Sequence, residues 1–118
     1  MTLQLKEMTL LRNQGYIDGK WVGADSGRMF AVTDPASGAK IIEVADMGAA
    51  ETKRAIDAAN AALPAWRAKT AKERSNILRR WFDLLMTHQD DLGRIMTAEQ
   101  GKPYPEAKGE VAYSASFV

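Results

Sequence analysis

Side chains that could carry out catalysis are few in this 118-residue sequence, and no two of them form a recognisable catalytic set. His88 is the only histidine, and it lies at the junction between two stretches with helical periodicity. Acid–base or metal chemistry by histidine needs a second ligand, a nucleophile or an orienting carboxylate. Because the neighbouring sequence offers none of these, His88 is predicted to be structural or solvent-facing.

Gly101-Lys102-Pro103 is the nearest approach to a phosphate-binding motif. A P-loop needs a glycine-rich cradle after a strand and a Ser or Thr after the lysine. This tripeptide follows a helical stretch instead, so Gly101 is interpreted as a helix stop. A basic run is interleaved with acidic residues, and we interpret it as a solvated helix face rather than a nucleic-acid site. The run comprises Arg67, Lys69, Lys72, Arg74, Arg79 and Arg80.

Acidic residues are frequent in the second half of the chain, but their spacing defines no catalytic pair. The scattered positions are Asp90, Asp91, Glu99, Glu106 and Glu110. Cysteine is absent, which excludes disulfides, thiolate metal sites and a cysteine nucleophile on this chain. No G-x-G-x-x-G dinucleotide fingerprint occurs. The residues by themselves therefore predict elements of structure but no activity.

The composition is that of a folded, nearly neutral domain. Hydrophobic residues make up 46% and charged residues 26%, and 16 basic against 15 acidic residues give a net charge of +1. Nucleic acids and anionic membranes select basic surfaces, so neither partner is expected. The apolar runs are too short to span a bilayer, and residues 1–14 lack a signal-peptide pattern. A cytoplasmic location is expected.

Residues 14–46 carry strand and turn signals. Asp18-Gly19, within Tyr16–Val22, is typical of a type I′ hairpin turn. Met29–Thr33 and Lys40–Val44 are two further extended runs, joined by the turn-forming sequence Asp34–Gly38. Met1–Asn13 has a weak pattern that fits either a short helix or a loosely ordered lead-in. A small, mainly antiparallel sheet is predicted.

Residues 49–118 carry helical periodicity. Pro64 is expected to kink or end the first helix, and the second begins at a capping box from Thr70 to Glu73. A third helix spans Gln89–Gln100, and a fourth begins after Pro105. The predicted buried positions are Ala55, Ile56, Ala59, Leu63, Trp66, Ile77, Leu78, Trp81, Leu84, Leu85, Leu92, Ile95, Met96, Ala107, Val111, Ala115 and Phe117 or Val118.

The fourth helix has no termination signal in the sequence. Ser114–Val118 contains no glycine cap, basic last turn or polar tail. We therefore expect a truncated segment whose helix from Pro105 to Val118 has an unsatisfied apolar face. Poor stability or aggregation of the isolated chain would follow.

Several stretches resemble, in order and spacing, the start of aldehyde dehydrogenases. They are Gly15–Val22, Val32–Gly38, Ala55–Arg67, Glu73-Arg74, Ile77-Leu78 and Glu99–Pro103. Three further stretches resemble bacterial succinate-semialdehyde dehydrogenases in particular: His88–Leu92, Met96–Pro103 and Glu106–Glu110. Together the matches extend over nearly the whole chain.

The resemblance implies an α/β fold, which is α+β within this chain. Small N-terminal antiparallel strands and about four helices would form one partial domain over residues 1–118, leading into the cofactor-binding domain. Family members oxidise aldehydes through a cysteine thiohemiacetal, hydride transfer to NAD or NADP and thioester hydrolysis. Their catalytic and cofactor-binding residues lie in later segments. The chain is therefore expected to be inactive alone.

Two sites on this chain are implied by the resemblance. A structural monovalent cation would be bound by the carbonyls of Val32 and Thr33 and by the Glu99 carboxylate, which replaces a commoner aspartate; hard oxygen ligands suit such an ion. The last helix resembles one near the substrate entrance, although simple helix packing explains it equally well. The residues concerned are Glu110, Tyr113, Ser114 and Phe117.

The expected partners are the remainder of the dehydrogenase or its subunits, since family members are homo-oligomeric. The complete enzyme would oxidise succinate semialdehyde to succinate. A second hypothesis is a non-catalytic docking or regulatory module that binds full-length dehydrogenase subunits through the apolar helix face. A third, a stand-alone helical domain of unrelated function, treats the ordered matches as coincidence.

Overall fold

The computed structural model describes residues 3–118 as two β-hairpins followed by four α-helices, which confirms the predicted α+β class. One turn of 3-10 helix, Met8–Leu10, lies in the lead-in, while Met1 and Thr2 lie outside the described residues. The elements are β1 (Gly15–Ile17), β2 (Lys20–Val22), β3 (Met29–Thr33), β4 (Lys40–Ala45), α1 (Ala49–Ala68), α2 (Ala71–Thr87), α3 (Gln89–Gln100) and α4 (Tyr104–Ala115).

The first hairpin turns where the sequence predicts. Asp18 and Gly19 have φ values of 50° and 74°, the positive values that a type I′ turn requires at both central positions. The β1–β2 and β3–β4 hairpins form two separate two-stranded sheets, so the expectation of a single sheet is wrong. The two sheets are separate because β2 does not pair with β3. The connection after β2 is instead bound to α1 through Asp25, which forms hydrogen bonds with Glu51 and Arg54.

Glu51, in the first turn of α1, fixes this connection. Its carboxylate is almost fully buried and accepts hydrogen bonds from the main-chain N–H groups of Asp25 (2.7 Å) and Gly48 (2.9 Å). These bonds hold the pKa of Glu51 below its usual value. Arg54 binds Asp25 through two 2.7 Å hydrogen bonds. The N-terminus of α1 and the link between the hairpins therefore form one anchored unit.

Helix α1 runs without interruption to Ala68, so Pro64 does not end it. Proline lacks an N–H, so Pro64 leaves one carbonyl, that of the residue four positions before it, without its helical donor, and the remaining hydrogen bonds of the helix can still form. The capping box of α2 is confirmed: Thr70 N–H donates to Glu73 Oε2 (2.7 Å), and Glu73 N–H donates to Thr70 Oγ1 (3.2 Å). Gly101 ends α3 in the left-handed conformation, with φ of 79°, as predicted.

The core lies where α4 packs against α3 and α2. Ala107, Val111 and Ala115 are buried, so the prediction of an unsatisfied apolar face on the last helix is wrong. These residues are buried because α3 and α4 approach closely. A Cβ added at Gly93 of α3 would lie 3.0 Å from the side chain of Lys108 on α4. The helix ends at Ala115, where Ser116 N–H caps it by donating to Ala112 O (3.1 Å).

The exposed apolar surface lies on α1 and α2 instead. Trp81 and Leu84 are each 56% exposed and Ile56 is 62% exposed, although the helical periodicity predicts all three to be buried. The prediction is wrong for these residues because α1 contacts mainly β1, and α2 contacts α3 and α4 through one side only. Leu63, Ile77 and Phe117 are exposed as well.

The lead-in is attached to α3 through a second buried carboxylate. Asp91, only 3% exposed, accepts hydrogen bonds from the main-chain N–H groups of Lys6 (3.1 Å) and Glu7 (2.8 Å). Burial alone would raise the pKa of Asp91, but these donors and the nearby positive charges of Lys6 and Arg94 together hold it below 3.8, its usual value.

We expect acid to release the lead-in from α3. Because the folded-state pKa of Asp91 lies below its unfolded value, its contribution to stability is complete above about pH 4 and is lost as the pH falls further. Amide exchange of Lys6 and Glu7, followed by NMR, should show protection at neutral pH that disappears in acid. Asp91→Asn should weaken this protection at neutral pH, whereas Asp83→Asn on the exposed side of α2 should leave it unchanged.

Candidate functional site

The candidate site begins on α4, where two aromatic side chains stand in solvent. Tyr113 and Phe117 are 63% and 73% exposed, and their rings meet edge to face with centroids 4.9 Å apart. The structure therefore brings together two of the residues predicted near a substrate entrance. They form an apolar edge beside the end of α4, and their entrance role stays a prediction.

Glu110 lies one turn before Tyr113, but its side chain forms an ion pair elsewhere. Its carboxylate pairs with the ammonium of Lys102, and both side chains are partly shielded from solvent. This contact ties the turn after α3 to the middle of α4. It also occupies the only cation of Gly101-Lys102-Pro103, consistent with a helix stop rather than a phosphate site.

The acidic residues of α3 have separate partners rather than each other. Asp90 accepts hydrogen bonds from Lys108 Nζ (2.6 Å) and the Tyr104 hydroxyl (3.1 Å), while Asp91 binds the lead-in. The Lys108 hydrogen bond lowers the pKa of Asp90, and the same contact raises the pKa of Lys108. A carboxylate pair for acid–base catalysis is therefore not assembled here, in keeping with the scattered spacing of these residues.

The predicted cation ligands lie at the ends of two neighbouring elements. Val32 and Thr33 close β3, at an irregularity in its pairing with β4, and Glu99 is exposed near the end of α3. The turn after β3 approaches the end of α3, since a Cβ added at Gly101 would lie 3.1 Å from Pro35 Cγ. The cation site stays a prediction. In residues 3–118 no group of three His, Asp or Glu side chains could hold a metal ion.

His88 occupies the junction between α2 and α3, as the sequence predicts. Its main-chain N–H donates to Leu84 O (3.0 Å), and its carbonyl accepts from Leu92 N–H (3.0 Å). The residue is half-buried and belongs to the cap of both helices. This arrangement gives His88 a structural position.

A groove that the sequence did not predict separates α2 from the end of α4. It encloses about 450 Å³, and its walls include Arg74, Leu78 and Phe82 from α2 and Ala115 and Ser116 from the end of α4. Arg74 is half-buried, whereas the other members of the basic run are exposed. The solvated-face interpretation is therefore wrong for Arg74. Only the packing of α4 against α2 distinguishes this arginine from its neighbours in sequence.

Two further residues that anchor chain segments, Glu51 and Asp91, were also not predicted from the sequence. Glu51 stands three residues after Gly48, a spacing at which a first-turn carboxylate can bind the N-cap amide, and this was a usable signal. The sequence contains no comparable signal for Asp91, because its partners Lys6 and Glu7 lie 85 and 84 residues away along the chain.

Comparison with known proteins decides the family. The family model described as the aldehyde dehydrogenase family matches residues 21–118. The chain belongs to the aldehyde dehydrogenase family. It is 63% identical over 116 residues to glutarate-semialdehyde dehydrogenase of Pseudomonas aeruginosa, and 59% identical over 116 residues to NADP+-dependent succinate-semialdehyde dehydrogenase of Escherichia coli. Both matches cover 98% of this chain and 24% of the relative.

Solved structures agree with this membership. A crystal structure of succinate-semialdehyde dehydrogenase from Burkholderia pseudomallei superposes with a TM-score of 0.93 at 60% identity, covering 96% of this chain and 23% of that one. The chain thus spans about a quarter of the length of the relatives it matches. Among residues 3–118, no helix is both long and apolar enough to cross a membrane.

Proposed function

We propose that this chain is the N-terminal segment of an NAD(P)-dependent dehydrogenase that oxidises a small semialdehyde, an aldehyde that also carries a carboxylate group. The observation that carries the proposal is the identity of 63% and 59% to glutarate- and succinate-semialdehyde dehydrogenases over almost the whole chain. Succinate semialdehyde is the substrate we favour, and the product would be succinate. A cytoplasmic location, which the absence of cysteine fits, is part of the proposal.

Catalysis is assigned to the part of the enzyme beyond these residues. The chain has no cysteine to form a thiohemiacetal, and the groove between α2 and the end of α4 is not lined by a glycine-rich loop. The residues present therefore do not fit NAD or NADP by themselves, and we derive no step through the cofactor. In this proposal the chain supplies scaffold: a cation site at Val32, Thr33 and Glu99, and an entrance edge at Tyr113 and Phe117.

The exposed apolar face of α1 and α2 supports a role as part of a larger body. Ile56, Trp81 and Leu84 lie on regular helices, and each leaves about half or more of its side chain in solvent. Trp81 and Leu84, three residues apart on α2, form contiguous apolar surface of the kind that marks an interface. In our proposal the remainder of the dehydrogenase covers it, within a homo-oligomeric enzyme.

A chimera tests the proposal directly. Residues 1–118 would replace the matching quarter of the Escherichia coli enzyme, and the oxidation of succinate semialdehyde would be followed by the absorbance of NADPH. We expect kcat/KM within about tenfold of the parent enzyme, and none for the chain alone. A second chimera with Trp81→Glu and Leu84→Glu should fail to assemble. A first chimera that assembles but does not turn over would contradict the assignment.

The second candidate is a non-catalytic docking module that binds full-length dehydrogenase subunits. The same exposed face of α1 and α2 motivates it. Tagged chain would be co-expressed with the untagged Escherichia coli enzyme and purified by its tag. Recovery of the enzyme with the wild-type chain, but not with the Trp81→Glu, Leu84→Glu variant, would support docking; no recovery would exclude it.

A further inference from the structure

The groove between α2 and the end of α4 combines apolar side chains with a basic group. Helix α2 contributes Arg74, Ser75, Leu78 and Phe82, and the end of α4 contributes Ala115 and Ser116, whose hydroxyl already donates to Tyr113 O (2.6 Å). The volume of this open groove, about 450 Å³, is enough for a small molecule. Apolar side chains with a few polar groups among them are the usual lining of small-molecule sites.

The charges of the groove are unbalanced. No Asp or Glu lines it, and among residues 3–118 the guanidinium of Arg74 has neither an ion pair nor a side-chain hydrogen bond. Arg79, on the same helix, is already paired with Asp83 (3.3 Å) and lies over the Phe82 ring. Arg74 is half-buried, and a guanidinium without a partner beside the apolar side chains Leu78 and Phe82 favours the approach of an anion, since apolar groups weaken screening by water.

We propose that this groove binds a carboxylate, with Arg74 as its cation. The planar guanidinium presents two parallel N–H donors that match the two oxygens of a carboxylate. A single arginine with the Ser75 hydroxyl suits a carboxylate better than a phosphate, which carries more charge and requires more donors.

The carboxylate has two possible sources. One is a small free carboxylate, an idea that rests on the proposed function, because substrate and product would both carry a carboxylate group. The other is an acidic side chain from a longer dehydrogenase chain, which could reach the groove beside Val118. Both sources present the same chemistry to Arg74, and one set of measurements separates them.

The first test titrates the isotopically labelled 118-residue chain with succinate and follows the Arg74 side-chain Nε–H and the Ser75 and Ser116 amides by NMR. We expect saturable shifts. Arg74→Gln should weaken binding about tenfold or more, and Arg74→Lys should restore part of it. Arg80→Gln, which removes an exposed charge from the same helix, should change nothing. No shift, or equal shifts in Arg74→Gln, would overturn the proposal.

The second test repeats the titration in the chimera with the Escherichia coli enzyme. A retained succinate response identifies a free carboxylate. A lost response, with the Arg74 resonance already at its succinate-bound position, identifies an acidic side chain of the longer chain. An Arg74 resonance that shows neither behaviour overturns the proposal. Because the first test needs no turnover, its failure leaves the dehydrogenase assignment standing, and an inactive chimera leaves the carboxylate site standing.

Discussion

Val111→Asp should lower the free energy of unfolding of the 118-residue chain by about 4 kcal/mol. Val111 is only 6% exposed and lies at the centre of the face that α4 packs on α3. The substitution removes apolar contacts and places a carboxyl group in the buried face of α4. The buried carboxyl group must then either stay protonated or force α4 away from α3, and either change lowers the free energy of unfolding. Chemical denaturation followed by circular dichroism measures the loss.

Ser114→Asp is the matched control for this substitution. It introduces the same carboxyl group on the same helix, but on its exposed side. Near the end of the helix a negative charge is slightly unfavourable, so we expect a loss below about 1 kcal/mol. If the two variants were equally destabilised, α4 would not be packed on α3 through Val111, and the described core would be wrong.

Gly101→Val should cost about 2 kcal/mol or more. Gly101 ends α3 with φ of 79°, a left-handed conformation that β-branched residues strongly disfavour. A side chain here would also press on Pro35, which lies 3.1 Å from the position of an added Cβ. The same denaturation experiment measures the loss, and the variant should also disturb the approach of the β3–β4 turn to α3.

Gly109→Ala provides a control of opposite sign. Gly109 lies inside α4, and an added Cβ would meet no atom within 4 Å. Replacing a helix-interior glycine by alanine should raise the free energy of unfolding by about 1 kcal/mol. Destabilisation by Gly109→Ala, or tolerance of Gly101→Val, would contradict the backbone conformations described for these two glycines.

Local features of the structure follow from short stretches of sequence. The Asp18-Gly19 turn, the Thr70–Glu73 capping box and the Gly101 stop are each governed by the backbone preferences of a few adjacent residues. Sequence therefore predicts them with their positions. The apolar spacing Ala107, Val111 and Ala115 also identifies the buried face of α4 correctly, because a repeat of four residues selects one side of a helix.

The sequence by itself determined the strands and helices, their approximate boundaries and, through the collinear stretches, membership of the aldehyde dehydrogenase family. Only tertiary structure decided which apolar stripes are covered, why Trp81 is exposed while Val111 is buried, and why Arg74 differs from Arg80. It also paired Asp91 with amides 84 and 85 residues away. Periodicity identifies a helix face, but burial depends on the element that packs against it, and that choice is made over distances that local sequence does not encode.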